Sequence, residues 1–141
     1  MIGIAGDHIR IVNQIVYRNK IALNEPYVRH KSGVVDSYRD NFPSKPPPYA
    51  YDPARDPPLR SMLEHHVENG ELVIPSGQYF VLGDNRDNSL DSRYWGFLDA
   101  RDIVGEPVFI YDSEEEPLHG TKGAKATLVH RKRWNRLFKF L

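Results

Sequence analysis

Ile9-Arg10-Ile11-Val12-Asn13-Gln14-Ile15-Val16-Tyr17-Arg18-Asn19-Lys20-Ile21-Ala22-Leu23 is the stretch whose pattern decides the fold class. Ile9, Ile11, Ile15, Tyr17, Ile21 and Leu23 alternate with Arg10, Arg18 and Lys20, which is the period of a strand. Asn13-Gln14 and Asn19-Lys20 interrupt the alternation, and Asn tolerates the left-handed backbone that tight hairpins need. A meander of short antiparallel strands follows from this reading.

Working outward, apolar density returns at Leu72-Val73-Ile74, turns at Pro75-Ser76-Gly77, and resumes as a strand candidate at Tyr79-Phe80-Val81-Leu82. Ile103-Val104 and Val108-Phe109-Ile110-Tyr111 are further strand candidates, followed by an acidic turn with Asp112, Glu114, Glu115 and Glu116. Between Arg29 and Gly70 the composition changes, because seven of the 11 prolines fall there, from Pro43 to Pro58. Proline removes ladder donors and fixes φ, so this segment is expected to be a surface excursion, with a short helix near Leu59 to Val67. The expected architecture is mainly β, an antiparallel sheet domain with little helix. Residues 1–28 and 71–141 would form the β domain and residues 29–70 a Pro-rich inserted subdomain. No internal repeat is present.

The chain has 141 residues, with 19 Lys and Arg against 19 Asp and Glu, so about one domain of zero formal charge is expected. That balance argues against a nucleic-acid partner, which calls for a net basic surface to displace counterions from phosphates. A basic patch for any partner must be local. With no cysteine, thiolate metal sites, disulfides and cysteine nucleophiles are excluded. No run approaches the ~18 consecutive apolar residues of a membrane-spanning helix, and Met1 to Asp7 lacks the basic and apolar regions of a secretory signal.

Chemistry concentrates in Gly83-Asp84-Asn85-Arg86-Asp87-Asn88-Ser89-Leu90-Asp91-Ser92-Arg93-Tyr94-Trp95-Gly96, directly after an apolar strand. Three carboxylates, two arginines, two amides and two serines in fourteen residues predict a hydrogen-bonded network. Read from residue types alone, the loop is an Asx-rich turn whose arginines pair with its carboxylates. A calcium loop is the weaker alternative, because Arg86 stands where an oxygen ligand is required and the central Gly is missing.

The same string resembles the C-terminal signature of the bacterial type I signal peptidases at Gly83, Asp84, Asn85, Ser89, Asp91, Ser92, Arg93 and Gly96. The resemblance extends to Ile74 through Leu82, to Ile103-Val104-Gly105-Glu106-Pro107 and to Glu25-Pro26-Tyr27-Val28. Met1-Ile2-Gly3-Ile4-Ala5-Gly6-Asp7 is similar to the family's turn after its catalytic lysine, with Ala5 where Pro or Gly is usual. The resemblance implies a signal-peptidase type of β fold and cleavage of signal peptides from secretory precursors. It implies a serine nucleophile and a lysine general base, both expected upstream of Met1, so that the chain reads as N-terminally truncated and inactive alone. Ser61-Met62 is a decoy for the nucleophile motif, because Leu63-Glu64 follows it.

By the same resemblance Ser89 would orient the lysine amine, Asp91 and Arg93 would form a buried ion pair, and Asp84 would pair with the arginine beside the lysine. Arg86, Asp87, Asn88 and Ser92 complete the signature loop, and Gly3, Gly6 and Asp7 form the turn near the dyad. The family's place is the bacterial plasma membrane, with its catalytic domain on the outer face. A non-catalytic, β-rich peptide-binding remnant is the alternative.

No cofactor and no metal is expected. His65-His66, with His8, His30, His119 and His130 scattered elsewhere, lacks the spacing of a helical zinc motif, and no Gly-x-Ser-x-Gly elbow is present. Trp134, Leu137, Phe138 and Leu141 recur at helical spacing among Arg131, Lys132, Arg133, Arg136 and Lys139. Residues 131–141 therefore read either as an interfacial helix on anionic lipid or as aromatics completing a core.

Overall fold

Three two-residue turns shape the main sheet. Asn13 and Gln14 (φ 48° and 73°) close strands β1 (His8–Val12) and β2 (Ile15–Arg18), and Asn19 and Lys20 (φ 52° and 68°) join β2 to β3 (Ile21–Ala22). Positive φ at both central residues is the turn whose twist matches that of the flanking strands. A third turn of the same kind, at Asn69-Gly70 (φ 51° and 79°), connects β4 (Val67–Glu68) and β5 (Glu71–Val73). The computed structural model describes residues 1–43 and 57–105. Met1–Ile103 forms one compact unit and Val104–Leu141 a second, of which only residues 104–105 are described. The expectations for Val108–Tyr111, the acidic turn, residues 131–141, His119, His130 and the centre of the Pro-rich stretch lie outside the described residues.

The predicted meander is present, and the five strands order as β3-β2-β1-β5-β4, antiparallel throughout. One detail of the pattern is corrected. Ile15 and Tyr17 do not share the inner face with Ile9 and Ile11; Val16 does, at 1% exposure against 48% for Ile15. The turn length enforces this, since a two-residue loop pairs Val12 with Ile15 and therefore Ile11 with Val16.

Ile9, Ile11, Val16 and Leu72 on that face pack with Ile2, Ile74 and Phe80. Tyr38, Phe42, Leu59 and Met62 complete the core. Of the surface excursion expected of residues 29–70, residues 29–37 are exposed, but Tyr38, Phe42, Leu59 and Met62 turn into the core. Tyr38 and Phe42 meet edge to face at 5.7 Å, and Phe42 stacks on Phe80 at 5.4 Å. The predicted short helix is α1 (Pro57–His65), beginning on two prolines that fit a first turn whose N–H groups have no intrahelical acceptor, and burying Leu59 and Met62.

Residues 2–7 run antiparallel to residues 74–80. Ile2 and Gly3 donate to the Phe80 carbonyl at 2.9 and 3.1 Å, Phe80 returns a bond to Gly3 at 3.0 Å, and Gly6 donates to Ile74 at 2.8 Å. Next comes β6 (Gln78–Tyr79), shorter than the predicted strand, paired with β7 (Leu98–Asp99). The strand expected at Ile103-Val104 is not formed: Ile103 caps a helical turn, Ala100–Asp102, and the partner of β6 is β7. Among the described residues no helix is long and apolar enough to cross a membrane.

Candidate functional site

The loop 83–96 leaves the core at Phe80 and is built inward from its carboxylates. Asp91 caps the short helix α2 (Ser92–Trp95), its side chain accepting from the Arg93 N–H, and the chain reversal brings Arg93 back onto Asp91. The Arg93 guanidinium donates twice to that carboxylate, Nε to Oδ1 at 2.8 Å and Nη2 to Oδ2 at 2.7 Å, with both side chains at 5% exposure or less. Two charges withdrawn from water require excellent geometry and further hydrogen bonds. These are supplied: the Gly83 N–H donates to Asp91 Oδ2 at 3.1 Å, and Arg93 Nη2 also donates to the Arg86 carbonyl at 3.0 Å.

Ser92 ties the loop to the strand before it, its N–H donating to the Val81 carbonyl at 3.2 Å and its Oγ accepting from the Val81 N–H at 3.0 Å. Arg86 is buried; it donates to the Gly83 carbonyl at 3.1 Å and through both terminal nitrogens to Glu25, Nη1 to Oε2 at 3.2 Å. Backbone bonds from Arg29 to Asp84 and from Arg86 to Arg29 add a parallel bridge beside that pair.

A second charged cluster, not singled out from the sequence, braces the loop from outside. Arg39 pairs with Asp40, Nε to Oδ1 at 2.8 Å and Nη2 to Oδ2 at 2.9 Å, reaches the Asp87 carbonyl at 3.2 Å, and donates to the Val34 carbonyl at 2.7 Å. The Tyr38 hydroxyl donates to the Arg93 carbonyl, and burial pushes that phenol's pKa up. Burial works against ionisation of Asp40, yet the Arg39 guanidinium and the Asp36 N–H hold its carboxyl below the usual range. The only signal for this cluster was Tyr38-Arg39-Asp40 standing together in a Pro-rich polar stretch.

Asp87 accepts from the Ser32 N–H at 2.7 Å, lies 3.1 Å from His30 Nδ1 and 3.4 Å from Arg39. The Ser32 N–H, then His30 and Arg39, hold its carboxyl well below the ordinary value of 3.8. A depressed folded pKa contributes stability that is present above the unfolded value and lost as pH falls through the folded one. Acid titration of unfolding is therefore expected to show a loss beginning near pH 4, and Asp87→Asn should flatten that limb. An unchanged limb in Asp87→Asn would show that Asp87 does not carry it.

Ser89 sits directly over Gly83. A Cβ placed on Gly83 would lie 2.2 Å from Ser89 Oγ and 2.7 Å from Ser89 Cβ, so only glycine fits there. The half-buried Ser89 hydroxyl has no hydrogen-bond partner among the described residues, and the Asn85 Oδ1 is buried without one. Asp84 is exposed, its side chain without a partner among the described residues, while Asn88 is exposed at the end of the turn Arg86–Asn88. The structure thus brings Gly83, Arg86, Ser89, Asp91, Ser92 and Arg93 together. It separates Asp7, which bonds Asn19 at 2.7 Å and its own turn at Ile4. No group of three metal-binding side chains occurs among the described residues.

Residues 1–112 match the family model described as signal peptidase, peptidase S26. Among curated relatives, the chain is 31% identical over 120 residues to a signal peptidase I of Rickettsia typhi, covering 80% of this chain and 44% of that protein. It is 48% identical over 58 residues to the signal peptidase I of Haemophilus influenzae, covering 41% of this chain and 17% of that protein. The chain spans less than half the length of these two relatives. A solved signal peptidase I from Enterococcus faecalis is similar at 27% identity and a TM-score of 0.46, over 73% of this chain and 74% of that one.

Proposed function

The chain belongs to the signal peptidase family, peptidase S26, and on that premise we propose that its loop 83–96 supports hydrolysis of the peptide bond that releases signal peptides from secretory precursors. The supporting observation is the Ser89 hydroxyl, half-buried, fixed against Gly83 and without a hydrogen bond among the described residues. A serine nucleophile needs a base to take its proton, and an amine acts as that base only when it is held neutral and aimed. Ser89 is the group proposed to aim it.

The backbone register supports this placement. Gly3 faces Phe80 in an antiparallel bridge, so Met1 falls opposite Leu82 and a residue joined ahead of Met1 would face Gly83, beside Ser89. The Asp91–Arg93 pair and the Arg86–Glu25 pair are proposed to keep the loop rigid while the amine is engaged. The nucleophilic serine and basic lysine of the family are not among these 141 residues in their motif settings, so this chain by itself is proposed to cleave nothing. The proposed site of action is the outer face of the bacterial plasma membrane, where secretory precursors emerge.

The test is a precursor-cleavage assay with two preparations: the 141 residues alone, and the same residues preceded by the sequence encoded in frame ahead of Met1. The second should cleave after a small side chain, and Ser89→Ala should lower its kcat roughly 10-fold or more with the fold intact. Full turnover in Ser89→Ala, or cleavage by the 141 residues alone, defeats the reading.

A further inference from the structure

We propose that the outer face of the five-stranded sheet carries a second, separate site, a groove in which Arg10 and Lys20 bind a phosphoryl group. The groove has a volume of about 800 Å³ and lies along β1, whose His8, Arg10 and Val12 point away from the core that Ile9 and Ile11 enter. The β2–β3 hairpin contributes Tyr17, directly opposite Arg10, and Lys20, while β5 contributes Glu71.

Charge pairing inside the groove is incomplete. Glu71 faces His8, at 3.4 Å from Nδ1, and Arg10 and Lys20 have no carboxylate partner among the described residues. Elsewhere in this unit the buried arginines 39, 86 and 93 all reach a carboxylate. Two cations and one acid leave the groove positive in a chain whose formal net charge is zero, the local basic patch that an anion requires.

Lys20 stands in the left-handed backbone that all three turns of the sheet use at their second position, φ 68° here against 73° at Gln14 and 79° at Gly70. The left-handed region costs a non-glycine residue about 1 kcal/mol, and the bonds of this turn run through Asn19, which accepts from the His8 N–H at 2.9 Å, and not through the Lys20 side chain. The turn carries an ammonium to the groove's end, two residues beyond the strand that presents Tyr17.

A phosphoryl group suits this set better than a carboxylate. Arg10 offers a planar fork for two oxygens and Lys20 a point charge for a third, while the Tyr17 ring gives a flat wall for the body that carries the phosphate. Glu71 repels the anion unless His8 screens it, so the phosphoryl group belongs on the Arg10 and Lys20 side. The groove owes nothing to the Ser89 loop, and its test is independent of peptidase activity.

The experiment is an NMR titration of the 141-residue chain with inorganic phosphate at constant ionic strength. A sedimentation assay with phosphatidylglycerol vesicles runs in parallel, and Arg10→Gln/Lys20→Gln serves as the variant in both. Both positions are exposed, so the variant should retain the wild-type spectrum elsewhere. Saturable shifts centred on His8, Arg10 and Lys20, weakened roughly tenfold or more in the variant, are expected for a free phosphate. Vesicle binding lost in the variant, without a phosphate response, would assign the same site to a lipid headgroup. Absence of binding in both arms, or binding unchanged by the double substitution, overturns the proposal.

Discussion

Asp91→Ala should lower the unfolding free energy by about 3–5 kcal/mol, read as a shift of the urea midpoint at unchanged slope. The substitution leaves the Arg93 guanidinium, 1% exposed, without its counter-charge, removes the acceptor of the Gly83 N–H, and uncaps α2. The guanidinium is already out of water and the Gly83 N–H partly so, and that sets the size of the effect. The pair itself contributes much less than its breakage costs, because withdrawing two charges from water nearly cancels their attraction. The double substitution Asp91→Leu/Arg93→Met should therefore recover a large part of the loss. A shift in Asp91→Ala of under about 1 kcal/mol, the range of exposed pairs, would mean that water reaches Arg93 and that the loop is looser than its bonds indicate.

The order of legibility follows the range of the interactions. Asn13-Gln14 and Asn19-Lys20 were readable as hairpins because the requirement for positive φ is local, and both turns formed where expected. Asn69-Gly70 carries the same signal in two residues, but it stands among the charges that follow a Pro-rich stretch, with too short an apolar run on either side to mark a hairpin, although it sets the β4–β5 pairing. The face of β2 was misread because Tyr17 is apolar in composition but stands opposite Arg10 on the outer side, leaving Val16 to fill the core. Turn length carried the right answer, and residue type did not.

Long-range partners were the least readable. That Asp91 and Arg93 pair is a two-residue matter and followed from the family resemblance, whereas the bonds of Arg39 to Asp87 and of Tyr38 to Arg93 span 48 and 55 residues. Nothing in the composition of a Pro-rich segment tells which of its polar residues turn inward. Tyr38 and Asp40 do so because the segment returns to the sheet at Phe42, whose N-terminal neighbours then have to lie beneath the loop. Gln14 records the same event from the other side, donating to Asp40 at 3.0 Å through its backbone and 3.3 Å through its amide.

Gly83→Ala is the substitution expected to disturb the candidate site most for the fewest atoms added. The methyl group would occupy space already held by Ser89, with Cβ at 2.7 Å and Oγ at 2.2 Å, distances that no rotation of the hydroxyl alone relieves. Either Ser89 is driven off Gly83 or the strand backs away from Asp91, and overpacking of this kind costs about 1–3 kcal/mol. The two contact distances separate the rescues. Ser89→Ala removes the hydroxyl but keeps the Cβ clash, so it should restore only part of the stability, while Ser89→Gly removes both and should restore most of it. Stability measured for the two single and the two double variants then gives a coupling energy for the pair. In the preparation that cleaves precursors, Gly83→Ala should lose turnover as fully as Ser89→Ala, because the hydroxyl is displaced even though it is present. Additive effects of the two positions on stability would show that Ser89 does not rest on Gly83, and the proposed aiming role would lose its geometric basis.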